Sequence, residues 1–361
     1  MAALSELFDV FYVGGKYIKD DWGTHMTGQI CVRRYGKKTD NRPAIIYIHG
    51  AAQTGTHWES TPDGRPGLAV LQAQEGWECY VVDQPGVGRS RYHAIDLGDL
   101  THYTVEQLEA CFTSPPHDSF PQAKLFTQWP GTGKRGDPIF DAFYASQVGH
   151  RAKYKDVEEA FRPLAKELFA RTGPAFLVTH SQSGPIGWHI ADECSEMVRG
   201  IVALEPNGPP FVYPGLPLFY TQTQGTKAGT FVRPFGITST PLTYDPPLPD
   251  GARRLEFTQG SNVIRADGLV DGARIKAPAP KLPNLASVPV VVLTGSASYH
   301  AAYDHLTVEF LQDVGVPVEH VYLADKGIHG NGHLMAIEKN NKEIQKLIHD
   351  WLTQLVAKTA S

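Results

Sequence analysis

The residue pattern predicts an α/β fold, a mostly parallel central sheet wrapped by helices. Three observations carry the prediction. Short continuous apolar runs recur along the chain, as expected of strands buried on both faces. Helical periodicities separate or follow several of them. The opening segments differ: "FDVFYVGGKYI" and "HMTGQICVRRYG" are β-rich and read as an antiparallel pair.

The buried-strand runs come in order as "AIIYIHG" (44–50), "WECYVVDQPG" (77–86), "AFLVTHS" (175–181), "GIVALEP" (200–206), "VPVVVLTG" (288–295) and "VEHVYLAD" (318–325). Residues 65–75 can hold a helix between the first two. Residues 156–172 form a second helical stretch, with Asp156 and Glu159 at capping-box spacing and Pro163 set to kink it. Residues 307–315 predict a third. The C-terminal stretch 340–358 is the clearest, with Ile344, Leu347, Ile348, Trp351, Leu352 and Leu355 at helical spacing.

Two stretches break the alternation. Residues 92–155 show little periodicity, and residues 206–285 hold 13 of the 27 prolines and several aromatics. Phe211, Tyr213, Phe219 and Tyr220 are among those aromatics, and such density argues against disorder. Both stretches read as cap or lid insertions within a single domain spanning 1–361. No internal repeat is visible.

Composition excludes several functions. The net charge of -5 argues against a nucleic-acid partner, and no basic run suggests an anionic membrane surface. No apolar run approaches the roughly 18 residues of a membrane span. The N-terminus lacks the basic and apolar regions of a signal peptide, so the expected location is cytoplasmic. Cys31, Cys79, Cys111 and Cys194 are far apart and read as buried thiols.

The chemistry-bearing motif is "LVTHSQSGPIGW" (177–188), where a buried strand ends in a small polar cluster. A nucleophilic serine sits on a sharp strand-to-helix turn and needs small residues two positions either side, usually G-x-S-x-G. Thr179-His180-Ser181-Gln182-Ser183 has that spacing, with Thr and Ser in the glycine places. Ser183 is the competing nucleophile. Gly86-x-Gly88 lacks the third glycine of a nucleotide loop, and "GTGKRG" (131–136) lacks P-loop spacing.

His49-Gly50 after a strand, Asp83-x-Pro-Gly-x-Gly-x-Ser90, His180-Ser181-x-Ser183-Gly184, and a late loop histidine occur in one order. That order resembles the α/β-hydrolase superfamily over roughly 40–95, 175–206 and 287–357. "HSQSG", "LEP" and "GIHGNGHLM" further resemble an esterase branch whose triad acid is a Glu after the sixth strand. The resemblance implies Ser181 as nucleophile, Glu205 as acid, and a base in the loop 324–341. His333 is the favoured base and His329 the alternative. It implies an oxyanion hole from the backbone N–H groups of Gln182 and Ala51 (or Ala52). Asp304, beyond the seventh strand, reads as a helix cap rather than the acid.

The resulting expectation is a serine hydrolase acting on a carboxylic ester or lactone, with no cofactor and no metal. Glycines 330 and 332 disfavour a helical zinc pair at His329 and His333. Phe211, Tyr213, Phe219 and Tyr220 are candidate substrate-binding residues, which favours a fairly apolar small-molecule substrate unless they form only the cap's own core. The same triad could serve acyl transfer, lactone formation or C–C cleavage. A hydrolase-like ligand receptor is the non-enzymatic alternative.

Overall fold

The computed structural model describes residues 8–38, 40–151, 153–217 and 227–360. Its central sheet has eight strands: β1 (Phe8–Val13), β2 (Ile30–Tyr35), β3 (Ala44–Ile48), β4 (Cys79–Asp83), β5 (Ala175–His180), β6 (Val198–Leu204), β7 (Val290–Thr294) and β8 (Val318–Tyr322). Their order across the sheet is 1-2-4-3-5-6-7-8. β2 runs antiparallel to both neighbours, and every pairing from β4 to β8 is parallel. The expected fold is therefore the fold observed. The predicted N-terminal antiparallel pair is β1 with β2. A second small hairpin, residues 16–20 with 23–27, lies inside it.

Seven helices matter here: α1 (Leu68–Gln74), α2 (Pro138–Ala145), α3 (Tyr154–Phe161), α4 (Ala165–Thr172), α5 (Ser183–Glu193), α6 (Asp304–Asp313) and α7 (Asn341–Ala360). Strand side chains alternate between faces. Ile46, Ile48, Leu177 and Ile201 join one core with Phe161, Leu168 and Trp188 of the helices. Ile45, Tyr47, Phe176 and Val202 join the other, where α7 contributes Ile344, Ile348 and Leu352. Each such fully buried aliphatic side chain contributes about 1.5–3 kcal/mol. The four cysteines are buried and free.

Pro163 breaks the predicted second helix as expected. A 3-10 turn, Arg162–Leu164, separates α3 from α4. The capping box does not form. The helix starts earlier, its N-cap is Lys153, and no side chain caps it. Asp156 instead sits in the first turn, where its charge favours the helix dipole. By contrast, α2 begins as its sequence dictates, with Asp137 accepting from Ile139 N and Pro138 in the first turn.

Among the described residues, 206–285 hold only two-residue strands, Phe257–Thr258 and Arg274–Ile275. Many of their apolar side chains, including Val212, Ile237, Leu255 and Leu282, belong to the main core.

Sheet register places the site. His180 pairs with Leu204, and Leu204 with Leu293. The carboxyl ends of β5, β6 and β7 are therefore level, and the next residues are Ser181, Glu205 and Gly295.

Candidate active site

Ser181 lies between β5 and α5 with φ 53°, in the left-handed region. A non-glycine residue held there costs about 1–3 kcal/mol and marks an enforced turn. Two contacts enforce it: Ser181 N donates to Leu204 O at 3.1 Å, and Asn207 N donates to Ser181 O at 2.8 Å. The close approach explains where glycine is required. A Cβ on Gly184 would lie 2.5 Å from Pro206 Cβ, and one on Gly50 would lie 3.2 Å from Ser181 Cβ. Position 183 tolerates a serine because its hydroxyl is used. Ser183 Oγ accepts from His180 N (2.8 Å) and donates to Ile48 O (2.7 Å). Ser183 is fully buried, whereas Ser181 lines a cavity together with Ala51, Gln182 and His300.

Glu205 also has a positive φ, 43°, and is fully buried. It accepts three hydrogen bonds: Gly295 N at 2.8 Å, Ser298 Oγ at 2.7 Å and His333 Nδ1 at 2.6 Å. Burial and the nearby Asp304 raise its pKa, while the Ser298 and Gly295 donors act in the opposite direction. Burial, with His180, His300 and His57, pushes His333 well below its ordinary value, so its imidazole is neutral at rest. With Nδ1 donating to Glu205, Nε2 is left as the basic nitrogen.

Among the described residues Ser181 Oγ has no hydrogen-bond partner, so the Oγ–Nε2 contact is open in this state. Resting sites commonly close such contacts only with substrate. Ser181 and His333 meet through His180, whose Nε2 hydrogen bonds to His333 O at 2.9 Å.

The loop bearing His333 is braced by Glu338, which accepts from Asn331 Nδ2 (2.8 Å) and Gly332 N (3.0 Å). Burial raises Glu338 to about 8. His329 lies outside this brace and does not line the cavity at Ser181. Nothing in the local sequence distinguishes Glu338 from an ordinary helix-start acid.

The cavity beside Ser181 is about 300 Å³. Ala51 and Gln182 line it, and among the described residues their backbone N–H groups have no acceptor. Ala52, the alternative donor, is 1% exposed with φ 57°, and its carbonyl accepts from Val148 N. His49 holds this loop: Nδ1 donates to Gly50 O, and Nε2 accepts from Gln84 N.

Both insertions wall the cavity, one through Tyr103, Phe112 and Arg151, the other through Tyr213, Leu216 and Arg233. Of the candidate substrate-binding residues, Tyr213 is among these wall residues. Phe211 is not: its ring is fully buried, stacked on Phe257 at 4.7 Å and edge-on to Phe310 at 5.8 Å. It is a core residue because burying it against α6 satisfies its whole apolar surface. Phe219 and Tyr220 lie outside the described residues.

Asp304 also departs from its expected role. The residue before α6 is Tyr303, with no side-chain cap, and Asp304 turns inward. It accepts from Thr294 Oγ1 at 2.8 Å and pairs with His300 Nδ1 at 2.8 Å. His300 lines the cavity and stacks on His333, with centroids 4.7 Å apart and planes at 11°. His180 lies on His333 at 4.6 Å, and His57 stacks on His180 at 5.0 Å. Four imidazoles thus form a column that no sequence motif announces.

Glu205, His300 and His333 offer three ligand atoms within 4.8 Å of one another. Parallel stacking of the two rings keeps their in-plane lone pairs from converging on one ion, and both Nδ1 atoms already face carboxylates. Asp20, His25 and His93 form a second such group, with Arg91 Nη2 only 3.1 Å from His25 Nδ1, a cation where a metal would add charge.

Residues 43–296 match the family described as the alpha/beta hydrolase fold. A fungal protein (Fungal sp., strain ATCC 74256) named a probable secreted lipase, phiG, is 41% identical over 360 residues, covering 96% of this chain and 90% of that one. The atomic-resolution structure of a novel bacterial esterase superposes with a TM-score of 0.64 at 22% identity, covering 96% of this chain and 95% of the other.

Proposed function

The chain belongs to the α/β-hydrolase fold family, and from that premise we propose that it is a serine hydrolase cleaving a carboxylic ester or lactone. The observation that carries this reading is the strained Ser181 at the cavity wall, level in the sheet with a buried Glu205–His333 pair. The fungal relative's name, a probable secreted lipase, supports the same bond class.

His333 Nε2 takes the Ser181 hydroxyl proton as Oγ bonds to the substrate carbonyl carbon. The carbonyl electron pair moves onto oxygen, and the Ala51 and Gln182 N–H groups hold that oxyanion. Each such donor is worth on the order of 10²–10³ in rate. Collapse breaks the bond to the alcohol oxygen, which takes the proton from His333. Water then repeats the sequence: it gives a proton to His333, adds to the acyl carbon, and the acyl–Oγ bond breaks with the proton returned to Ser181. Glu205 fixes the tautomer of His333 and stabilises its cationic form. Residues 92–155 and 206–285 act as the cap that shapes the acyl and alcohol sites. This chemistry draws on no cofactor.

An organophosphonate should label one residue, and peptide mapping should find it on Ser181. Ser181→Ala should lose about 10⁴-fold or more in kcat while staying folded. A label on Ser183, or an active Ser181→Ala protein, overturns the reading. Labelled water should appear in the acid product; its absence with a second alcohol present would indicate acyl transfer.

A further inference from the structure

Two arginines at the cavity wall make no salt bridge among the described residues, although Asp156 and Asp96 act on Arg151, and Glu158 on Arg233, from beyond contact. Arg151 is 8% exposed and Arg233 is 4% exposed. Neither has a carboxylate within 4.0 Å among the described residues, and 218–226 carry none in the sequence. Arg233 donates from Nη1 to Pro209 O (2.8 Å) and from Nη2 to Asn207 Oδ1 (2.6 Å), and its Nε has no partner. Arg151 donates from Nη1 to Asp156 O, and its Nε and Nη2 have no partner. Asn207 Nδ2 is also unpartnered.

Elsewhere the protein treats a buried arginine differently. Arg33, 5% exposed, pairs with Glu59 at 2.8 Å. The buried acid nearest in sequence to Arg151, apart from its own loop, is Glu158. Its oxygens are occupied by His189, Ser239 N and Thr240. A guanidinium does not deprotonate in proteins, and burying it unpaired is costly. Burial lowers the pKa of both groups.

Both arginines are tied to the nucleophile. Gln182 Nε2 donates to Arg151 O at 3.4 Å, and Asn207, which accepts from Arg233, donates its N–H to Ser181 O. The Arg233 guanidinium lies 5.7 Å from the centre of the Tyr154 ring, three residues beyond Arg151, so the two cations belong to one wall. Phe112, Leu216 and Val232 supply apolar surface in the same cavity.

We propose that the substrate is an ester bearing a free carboxylate on an otherwise apolar body, and that Arg151 and Arg233 bind that carboxylate. The planar guanidinium fork matches carboxylate geometry and supplies charge-assisted hydrogen bonds. This specificity rests on Ser181 as nucleophile, but the anion site itself does not require turnover.

The test has two substrate pairs. The acyl-side pair is para-nitrophenyl hydrogen glutarate against para-nitrophenyl pentanoate. The alcohol-side pair is para-(carboxymethyl)phenyl butanoate against para-methylphenyl butanoate. One pair should show the carboxylate ester preferred in kcat/KM, and which pair does so assigns the anion to the acyl or the alcohol half. Arg233→Gln and Arg151→Gln should each lower that preference by about 10²-fold. Arg265→Gln, a surface control, should leave it unchanged. Glutarate titrated calorimetrically into the Ser181→Ala protein, with both arginines intact, should bind and release heat. Turnover of neutral esters with no carboxylate preference in either pair, and no glutarate binding, would overturn the anion site while leaving the serine-hydrolase reading intact. Glutarate binding to a protein that hydrolyses no ester would do the reverse.

Discussion

Replacing Glu205 by glutamine removes one charge and little volume, and the hydrogen bonds around it dictate the consequence. The two carboxylate oxygens have different partners. Oε1 accepts from Gly295 N, while Oε2 accepts from Ser298 Oγ and His333 Nδ1. A glutamine must choose. A backbone N–H cannot reverse, so Gly295 demands the amide oxygen. The amide NH2 then faces His333, and Nδ1 must become the acceptor. That moves the imidazole proton to Nε2, the nitrogen that should be basic. The opposite rotamer keeps the correct tautomer but sets NH2 against Gly295 N–H, leaving a buried donor unsatisfied at about 1–3 kcal/mol. The competent arrangement is thus disfavoured about 5–150-fold. Losing the negative charge beside the imidazolium adds to this, for a total of about 10³–10⁴ in kcat. The assay is kcat on a chromogenic ester, with circular dichroism to establish folding. A folded Glu205→Gln protein within about fivefold of the parent would refute the argument, because every route to the right tautomer leaves a buried donor unsatisfied and also lacks the negative charge.

The geometry fixes three further outcomes. The pKa of His333 is depressed and the proposed base acts when neutral, so kcat/KM should stay level as pH falls through 6.5 and drop only below it; an acid limb at or above the ordinary histidine value would contradict this. The histidines' share of stability should have the same sign, because the unfolded chain takes up protons on histidines that the folded chain keeps neutral, whereas Glu205 and Glu338, raised by burial, act in the opposite direction. His180, pushed down to about 4, accounts for about 3 kcal/mol lost between pH 6.5 and 4, read as the difference in denaturant midpoints between the parent and a His180→Asn protein. Gly184→Ala should destabilise the fold by about 1–3 kcal/mol, since the new Cβ meets Pro206 Cβ at 2.5 Å. It should also reduce kcat, because Pro206 follows the acid, and unchanged melting would show that the turn has slack.

Much of the sheet was legible because buried strands leave continuous apolar runs; Ser181 and Glu205 directly follow such runs, while His333 stands in the loop between the last strand and the last helix. Local rules failed where long-range packing decides. Asp304 looked like a cap because it precedes a helix. Its side chain instead answers to Thr294 and His300, which only the fold brings near. Phe211 looked like a pocket residue because aromatic density alone does not separate a lining ring from a core ring. Arg151, Arg233 and Glu338 gave no signal, since an arginine or glutamate draws attention only once its burial and partners are known.

The imidazole of His333 is hemmed in on its faces and flank, with His300 at 4.7 Å, His180 at 4.6 Å, Tyr299 at 5.1 Å and Phe112 at 5.4 Å. A ring so clamped has no room to swing. A proton collected at Nε2 therefore stays where it was collected. In the proposed mechanism the departing oxygen must then come to it, so the choreography of the second half of that reaction falls to the ligand. Substrates whose leaving end is stiff or bulky would stall there, however well their carbonyl fits the serine.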